Sequence, residues 1–208
     1  MESMIYEQQA HEQGFALVCG VDEAGRGPLA GPVCAAAVIL PPELVIPGLN
    51  DSKKLTEKKR EALFPLIQQQ AVAWAVASVS AREIDETDIL SARMRAMQLA
   101  IDGLSVRPEL ALIDGNRDHG RTAAIVTPHR CIVDGDALSA SIAAASILAK
   151  VSRDRYVCDV LDKQYPEYQF AKHKGYGTKL HRELLLQYGM CPVHRRSFMK
   201  KILGEIHE

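Results

Sequence analysis

Apolar residues along this chain fall into short unbroken or alternating runs bounded by turn residues, and between them into stretches where they recur every three or four positions. The first pattern predicts strands and the second helices. Residues 15–21 (Phe15-Ala16-Leu17-Val18-Cys19-Gly20-Val21) predict a buried strand that stops just before Asp22. Residues 33–40 predict a second strand, and 72–79, where Val72, Trp74 and Val76 alternate with small residues, a third; together the three predict an antiparallel meander. Between the second and third, Thr56 followed by Glu57 predicts a capped helix reaching about Gln70, with Pro65 as an interruption. Another helix is predicted after Thr87, because Leu90, Met94, Met97, Ile101 and Leu104 recur at core-stripe spacing. Leu110-Ala111-Leu112-Ile113 then predicts a strand ending at Asp114-Gly115 and, following a helix, parallel to a neighbour. A fifth strand is predicted near 123–126 or 131–133. Residues 137–149 carry no charge and are mostly small, which predicts a closely packed buried helix with Asp136 at its N-terminus. Further helices are predicted in the tail, and no repeat, low-complexity tract or inter-domain linker is visible.

Several carboxylates arise where these elements end. Asp22 and Glu23 follow the first strand, Asp114 the fourth, and Asp136 opens the buried helix. In α/β sheets such ends border the ligand crevice, so Asp22 and Asp114 are expected at one sheet edge. Adjacent carboxylates repel unless solvated or held by a cation. Directly after them, Gly25-Arg26-Gly27 offers close main-chain approach around a guanidinium suited to phosphate. Taken singly, each of these segments is as well explained as an Asp- and Gly-rich surface turn.

Composition narrows the choice. The chain has 208 residues, 47% hydrophobic and 25% charged, the size and balance of one globular domain with a substantial core. The longest apolar stretch is too short to cross a bilayer, and the polar, acidic N-terminus shows no secretory signal, so a cytoplasmic protein with no membrane partner is expected. Five cysteines without a Cys-x-x-Cys pair read as reduced thiols and offer no zinc-ligand spacing. The net charge of −1 conceals an asymmetry. Residues 150–201 hold 12 Lys+Arg against 5 Asp+Glu, a local charge of +7, while the remainder holds 13 against 21, or −8. A basic tail and a second cluster, Lys53-Lys54 with Lys58-Lys59-Arg60, suit a phosphate backbone, although an isolated charge run is commonly a solvated helix face. Four carboxylates and no Cys/His set point to hard divalent cations, Mg²⁺ or Mn²⁺, and two such ions support phosphodiester cleavage.

With these residues in view, the chain resembles bacterial ribonuclease HII, a type 2 RNase H. The motifs are Asp22-Glu23-Ala24-Gly25-Arg26-Gly27, Asp51-Ser52-Lys53-Lys54-Leu55, Asp114-Gly115, Gly135-Asp136 with Ser141-Ile142-Ala143-Ala144-Ala145-Ser146, and His173-Lys174-Gly175-Tyr176-Gly177-Thr178, in the family's order between about Leu17 and Phe198. The resemblance implies one catalytic domain over 1–208 with an RNase H-like fold, a mixed five-stranded sheet flanked by helices, of which about 165–208 is a small, basic helical extension. It implies a monomer that cleaves RNA in RNA–DNA hybrids and nicks duplex DNA 5′ to single ribonucleotides. Cleavage would use two divalent cations and leave 3′-hydroxyl and 5′-phosphate ends, in primer and ribonucleotide removal during DNA replication and repair. By the family pattern Asp22, Glu23, Asp114 and Asp136 are the catalytic metal ligands, Gly25, Arg26 and Gly27 read the 2′-hydroxyl, Tyr176 stacks on the sugar at the RNA–DNA junction, and Ser52 and Lys53 contact the backbone. Asp134 departs from the pattern, since many relatives have lysine there; a carboxylate two residues from Asp136 is expected to weaken metal or phosphate binding unless it points away. Two other readings of the residues are a nuclease of the same fold acting on DNA alone and a non-catalytic nucleic-acid-binding module.

Overall fold

The structure is a computed structural model and describes residues 4–115 and 125–199. A five-stranded mixed sheet lies at its centre, built from β1 (Val18–Ala24), β2 (Val33–Ile39), β3 (Ala73–Val79), β4 (Leu110–Asp114) and β5 (His129–Ile132) in the order β3-β2-β1-β4-β5. The expected meander is present, with β1 antiparallel to β2 and β2 to β3; β1 and β4, and β4 and β5, are parallel. The fifth strand coincides with part of the later of its two expected positions. Of the earlier one, residues 123 and 124 lie outside the described residues, and 125–126 are not strand.

The helices among the described residues include α1 (Ile5–Glu12), α2 (Glu57–Gln70), α3 (Ala81–Glu86), α4 (Ile89–Asp102), α5 (Gly135–Leu138), α6 (Ala140–Tyr156), α7 (Asp162–Gln164), α8 (Phe170–His173) and α9 (Lys179–Tyr188). Helix α4 covers one face of the sheet, with Met94 and Met97 against Cys19, Val21 and Ala35. Helix α6 covers the other, where Ala144, Ile147 and Leu148 meet Ala36 and Val38. The alternation of side chains along each strand supplies both layers. Gly20 is what lets α6 reach β1, since a Cβ there would lie 2.2 Å from the Ile142 nitrogen. A further cluster, Val157, Leu161, Tyr168, Phe170 and Leu184, packs the C-terminal segments against the far end of α6.

Four sequence expectations are corrected. Strand β1 does not stop at Val21 but pairs with β2 through Ala24, so Asp22 and Glu23 are strand residues. Helix α2 runs through Pro65 unbroken, because Leu63, Phe64 and Ile67 are buried and their packing outweighs one missing hydrogen bond. The 137–149 apolar segment is two helices, broken at the extended Ser139, whose Oγ caps α6 by accepting from the Ile142 N–H at 3.2 Å; Asp136 therefore belongs to α5. Leu104 lies beyond the end of α4, after Gly103, yet is buried.

Candidate active site

Strands β1 and β4 run side by side and end at the same edge, which brings Asp22 and Asp114 together. The short α5 turn folds back over that edge because the Asp136 N–H donates to Asp114 Oδ1 at 3.3 Å. Carboxylate oxygens of Asp22, Asp114 and Asp136 all lie within 4.8 Å of one another. Burial, then the negative charges of Glu23 and Asp114, push the Asp22 carboxyl well above the usual carboxylate range, and burial and Asp136 raise Asp114. Three hard oxygen donors pressed together against their mutual repulsion fit a divalent cation. Positive charge is already drawn there. Lys53 Nζ donates to Asp136 Oδ2 at 3.0 Å, and although burial works against the ammonium, that bond and charge raise it to about 12.

Glu23 takes a different environment from its neighbour. Because β1 continues past it, its side chain projects to the α4 face, where Arg93 Nε lies 2.9 Å from Glu23 Oε2. Arg93 is itself buried and also donates to the Asp114 carbonyl at 2.7 Å, so one guanidinium ties both strand ends. Glu23 is not among the three clustered carboxylates.

A cleft of about 260 Å³ opens over this edge, lined by Asp22, Glu23, Gly25, Arg26, Gly27, Ser52, Lys53, Asp114 and Tyr176, together with Ala24, Arg60 and Lys150. Of the ten residues singled out in the sequence, Asp136 alone does not line it. The Arg26 side chain is exposed beside Glu23 at 4.0 Å. Ser52 is held by its N–H to Ser146 Oγ at 3.3 Å and by Arg60, which donates to the Ser52 carbonyl at 2.8 Å. Tyr176 is 39% exposed, with Lys150 Nζ and Arg153 Cζ 5.5 and 5.7 Å from its ring centre. Asp134 is exposed, in the left-handed region at φ 52°, and outside the cleft lining.

Sequence reasoning missed Arg93 and the buried Glu7, and it placed Arg60 and Lys150 only in basic segments, not at this cleft. A signal for Arg93 existed: it sits three residues after Leu90 and four before Met97, on the apolar stripe of α4, where a charge needs a partner. Glu7 of α1 had none; its Oε1 accepts from the Ser141 N–H at 2.9 Å, closing the N-terminus of α6 from a distant helix.

Residues 19–201 match the family model for ribonuclease HII. The chain belongs to the ribonuclease HII family. The ribonuclease HII of Vibrio parahaemolyticus is 56% identical over 196 residues, 93% of this chain and 90% of that protein. That of Caldicellulosiruptor bescii is 51% identical over 198 residues, 95% and 94% respectively. Among solved structures, the ribonuclease H2 from Pyrococcus horikoshii superposes with a TM-score of 0.73 at 28% identity, covering 92% of this chain and 99% of that one. The five-stranded arrangement is thus the RNase H-like fold. As a ribonuclease HII the chain is an RNase H endonuclease acting on RNA–DNA hybrids with divalent cations. Among the described residues no helix is long and apolar enough to cross a membrane.

Proposed function

We propose that this ribonuclease HII cleaves the RNA strand of hybrids and nicks duplex DNA on the 5′ side of single ribonucleotides, leaving 3′-hydroxyl and 5′-phosphate ends. The observation that carries the reading is the convergence of Asp22, Asp114 and Asp136 within 4.8 Å beneath a cleft walled by Gly25-Arg26-Gly27 and Tyr176. A carboxylate cluster beside a guanidinium and an exposed aromatic combines what phosphodiester hydrolysis and sugar recognition require.

In this reading Asp22, Asp114, Asp136 and Glu23 hold two divalent cations, Mg²⁺ or Mn²⁺. When bound, such ions supply activation of a water and stabilisation of the leaving oxygen. The remaining residues orient the duplex. Gly25-Arg26-Gly27 engages the 2′-hydroxyl and the neighbouring phosphate, Tyr176 stacks on the sugar at the junction, and Ser52 and Lys53 meet the backbone. Such an activity suits a monomer working in the cytoplasm in primer and ribonucleotide removal during replication and repair.

The test is a duplex carrying one ribonucleotide, incubated with Mg²⁺ or Mn²⁺. The expected product is a single nick 5′ to that residue, lost in Asp22→Asn while substrate affinity is largely retained. Cleavage of an all-DNA duplex at an equal rate would instead indicate a DNA nuclease on the same fold, and turnover by Asp22→Asn would remove Asp22 from the catalytic set.

A further inference from the structure

Arg153 and Arg195 are both 0% exposed and are the bulkiest fully buried side chains among the described residues. A guanidinium withdrawn from water needs its N–H groups satisfied, and here every one of six bonds goes to a main-chain carbonyl. Arg195 donates from Nη2 to Gly25 O at 2.7 Å, from Nη1 to Arg26 O at 3.1 Å and from Nε to Gly31 O at 3.0 Å. Arg153 donates to Pro32 O at 2.9 Å, Ala30 O at 3.1 Å and Lys174 O at 3.1 Å. The backbone below is tied as well, with Arg195 N–H to Leu29 O at 2.8 Å and Gly31 N–H to Val193 O at 2.9 Å.

The peptides at issue are trans, so each carbonyl points away from the N–H that follows it. Drawing the Gly25 and Arg26 carbonyls down onto Arg195 therefore turns the Arg26 and Gly27 N–H groups the opposite way. Neither N–H has a hydrogen-bond partner among the described residues. Gly25 makes the arrangement possible. Its φ is +100°, and a Cβ there would meet Arg153 Nε at 2.3 Å. Phe198 steadies the Arg195 guanidinium, its ring centre 5.1 Å from Cζ.

We propose that Arg195 is a positioning residue for ribose selectivity, holding the Gly25 and Arg26 carbonyls so that the Arg26 and Gly27 amides face the 2′-hydroxyl and its adjacent phosphate. The proposal rests on the reading of Gly25-Arg26-Gly27 as the ribose sensor. It assigns Arg195, a member of the basic tail, to the underside of the sensor and not to the duplex.

The experiment measures dissociation constants by fluorescence anisotropy, with Ca²⁺ in place of the catalytic cations, for a single-ribonucleotide duplex and for the same sequence as DNA throughout. The parent is expected to prefer the ribonucleotide duplex. Arg195→Lys keeps the charge but loses the three-point fork, so the preference is expected to fall about fivefold or more while affinity for the all-DNA duplex changes by less than about twofold. No preference in the parent would overturn the sensor reading and the proposal with it. A normal parental preference that persists in folded Arg195→Lys, or an equal loss on both duplexes, overturns the proposal alone. Should Arg195→Lys fail to fold by circular dichroism, Phe198→Leu decides, with a preference reduced about twofold or more in support and an unchanged preference against.

Discussion

Glu23 and Arg93 show how one residue's alternation along a strand decides its chemistry. Had β1 ended at Val21, Asp22 and Glu23 would have shared a turn; continued pairing with β2 through Ala24 sends Glu23 to Arg93. Removing one partner of a buried pair leaves the other charge uncompensated, at about 3–5 kcal/mol. Arg93→Met is therefore expected to lower unfolding stability by about that amount in EDTA, as chemical denaturation would show. It also frees the Glu23 carboxylate. If Glu23 serves the cation site, the thermal midpoint of Arg93→Met should rise more steeply with added Mg²⁺ than the parent's, and equal increments would detach Glu23 from that site.

At the scale of elements, the segment from α8 to the end of the described chain is organised by two buried histidines, His181 and His194. The Cys191 N–H donates to His194 Nδ1 at 3.0 Å, which leaves His194 Nε2–H to donate to His181 Nε2 at 3.0 Å and His181 Nδ1–H to the Tyr176 carbonyl at 2.9 Å. Every ring in that chain is neutral, and a proton on either would set N–H against N–H. Burial depresses both His181 and His194 from 6.5 to about 4. The sign follows: for a base with a lowered folded pKa, the stabilisation is complete above pH 6.5 and is lost as pH falls toward 4. At about 1.4 kcal/mol per unit, and with one hydrogen bond shared, on the order of 3 kcal/mol disappears across that window. His194→Gln should flatten the fall of the thermal midpoint between pH 6.5 and 4.5, and an unchanged slope would assign acid lability to the carboxylates. The histidines also mark where reading from sequence stops. Strands β2, β3 and β4 and helices α2 and α4 were legible because their apolar periods and the Thr56 cap are local signals. The Asp22, Asp114 and Asp136 convergence was legible from element ends and from resemblance. The partners of Glu7, Arg93, Arg153 and Arg195 were not, because each is satisfied by a group far along the chain, and the break at Ser139 was hidden by flanking residues that are apolar on both sides.

For the whole molecule, the net charge of −1 divides into +7 over residues 150–201 and −8 over the rest of the chain. The structure reduces what that basic part offers to a duplex, since Arg153 and Arg195, two of its twelve cations, are fully buried and spent on carbonyls. Lys172 and Lys179, by contrast, are exposed and flank the turn that carries Tyr176. Each phosphate neutralised contributes about 0.9 to the slope of log affinity against log salt. Replacing both with alanine is expected to reduce that slope by about 2 in titrations with KCl, and to weaken ribonucleotide-containing and all-DNA duplexes alike, because a phosphate contact carries no sugar information. That outcome separates the two tasks of the C-terminal part: exposed lysines would set how tightly any duplex is held, and buried Arg195 which sugar is accepted. A slope unmoved by the double substitution would place the duplex away from this face and leave the Lys53-Lys54 side of the cleft to carry it.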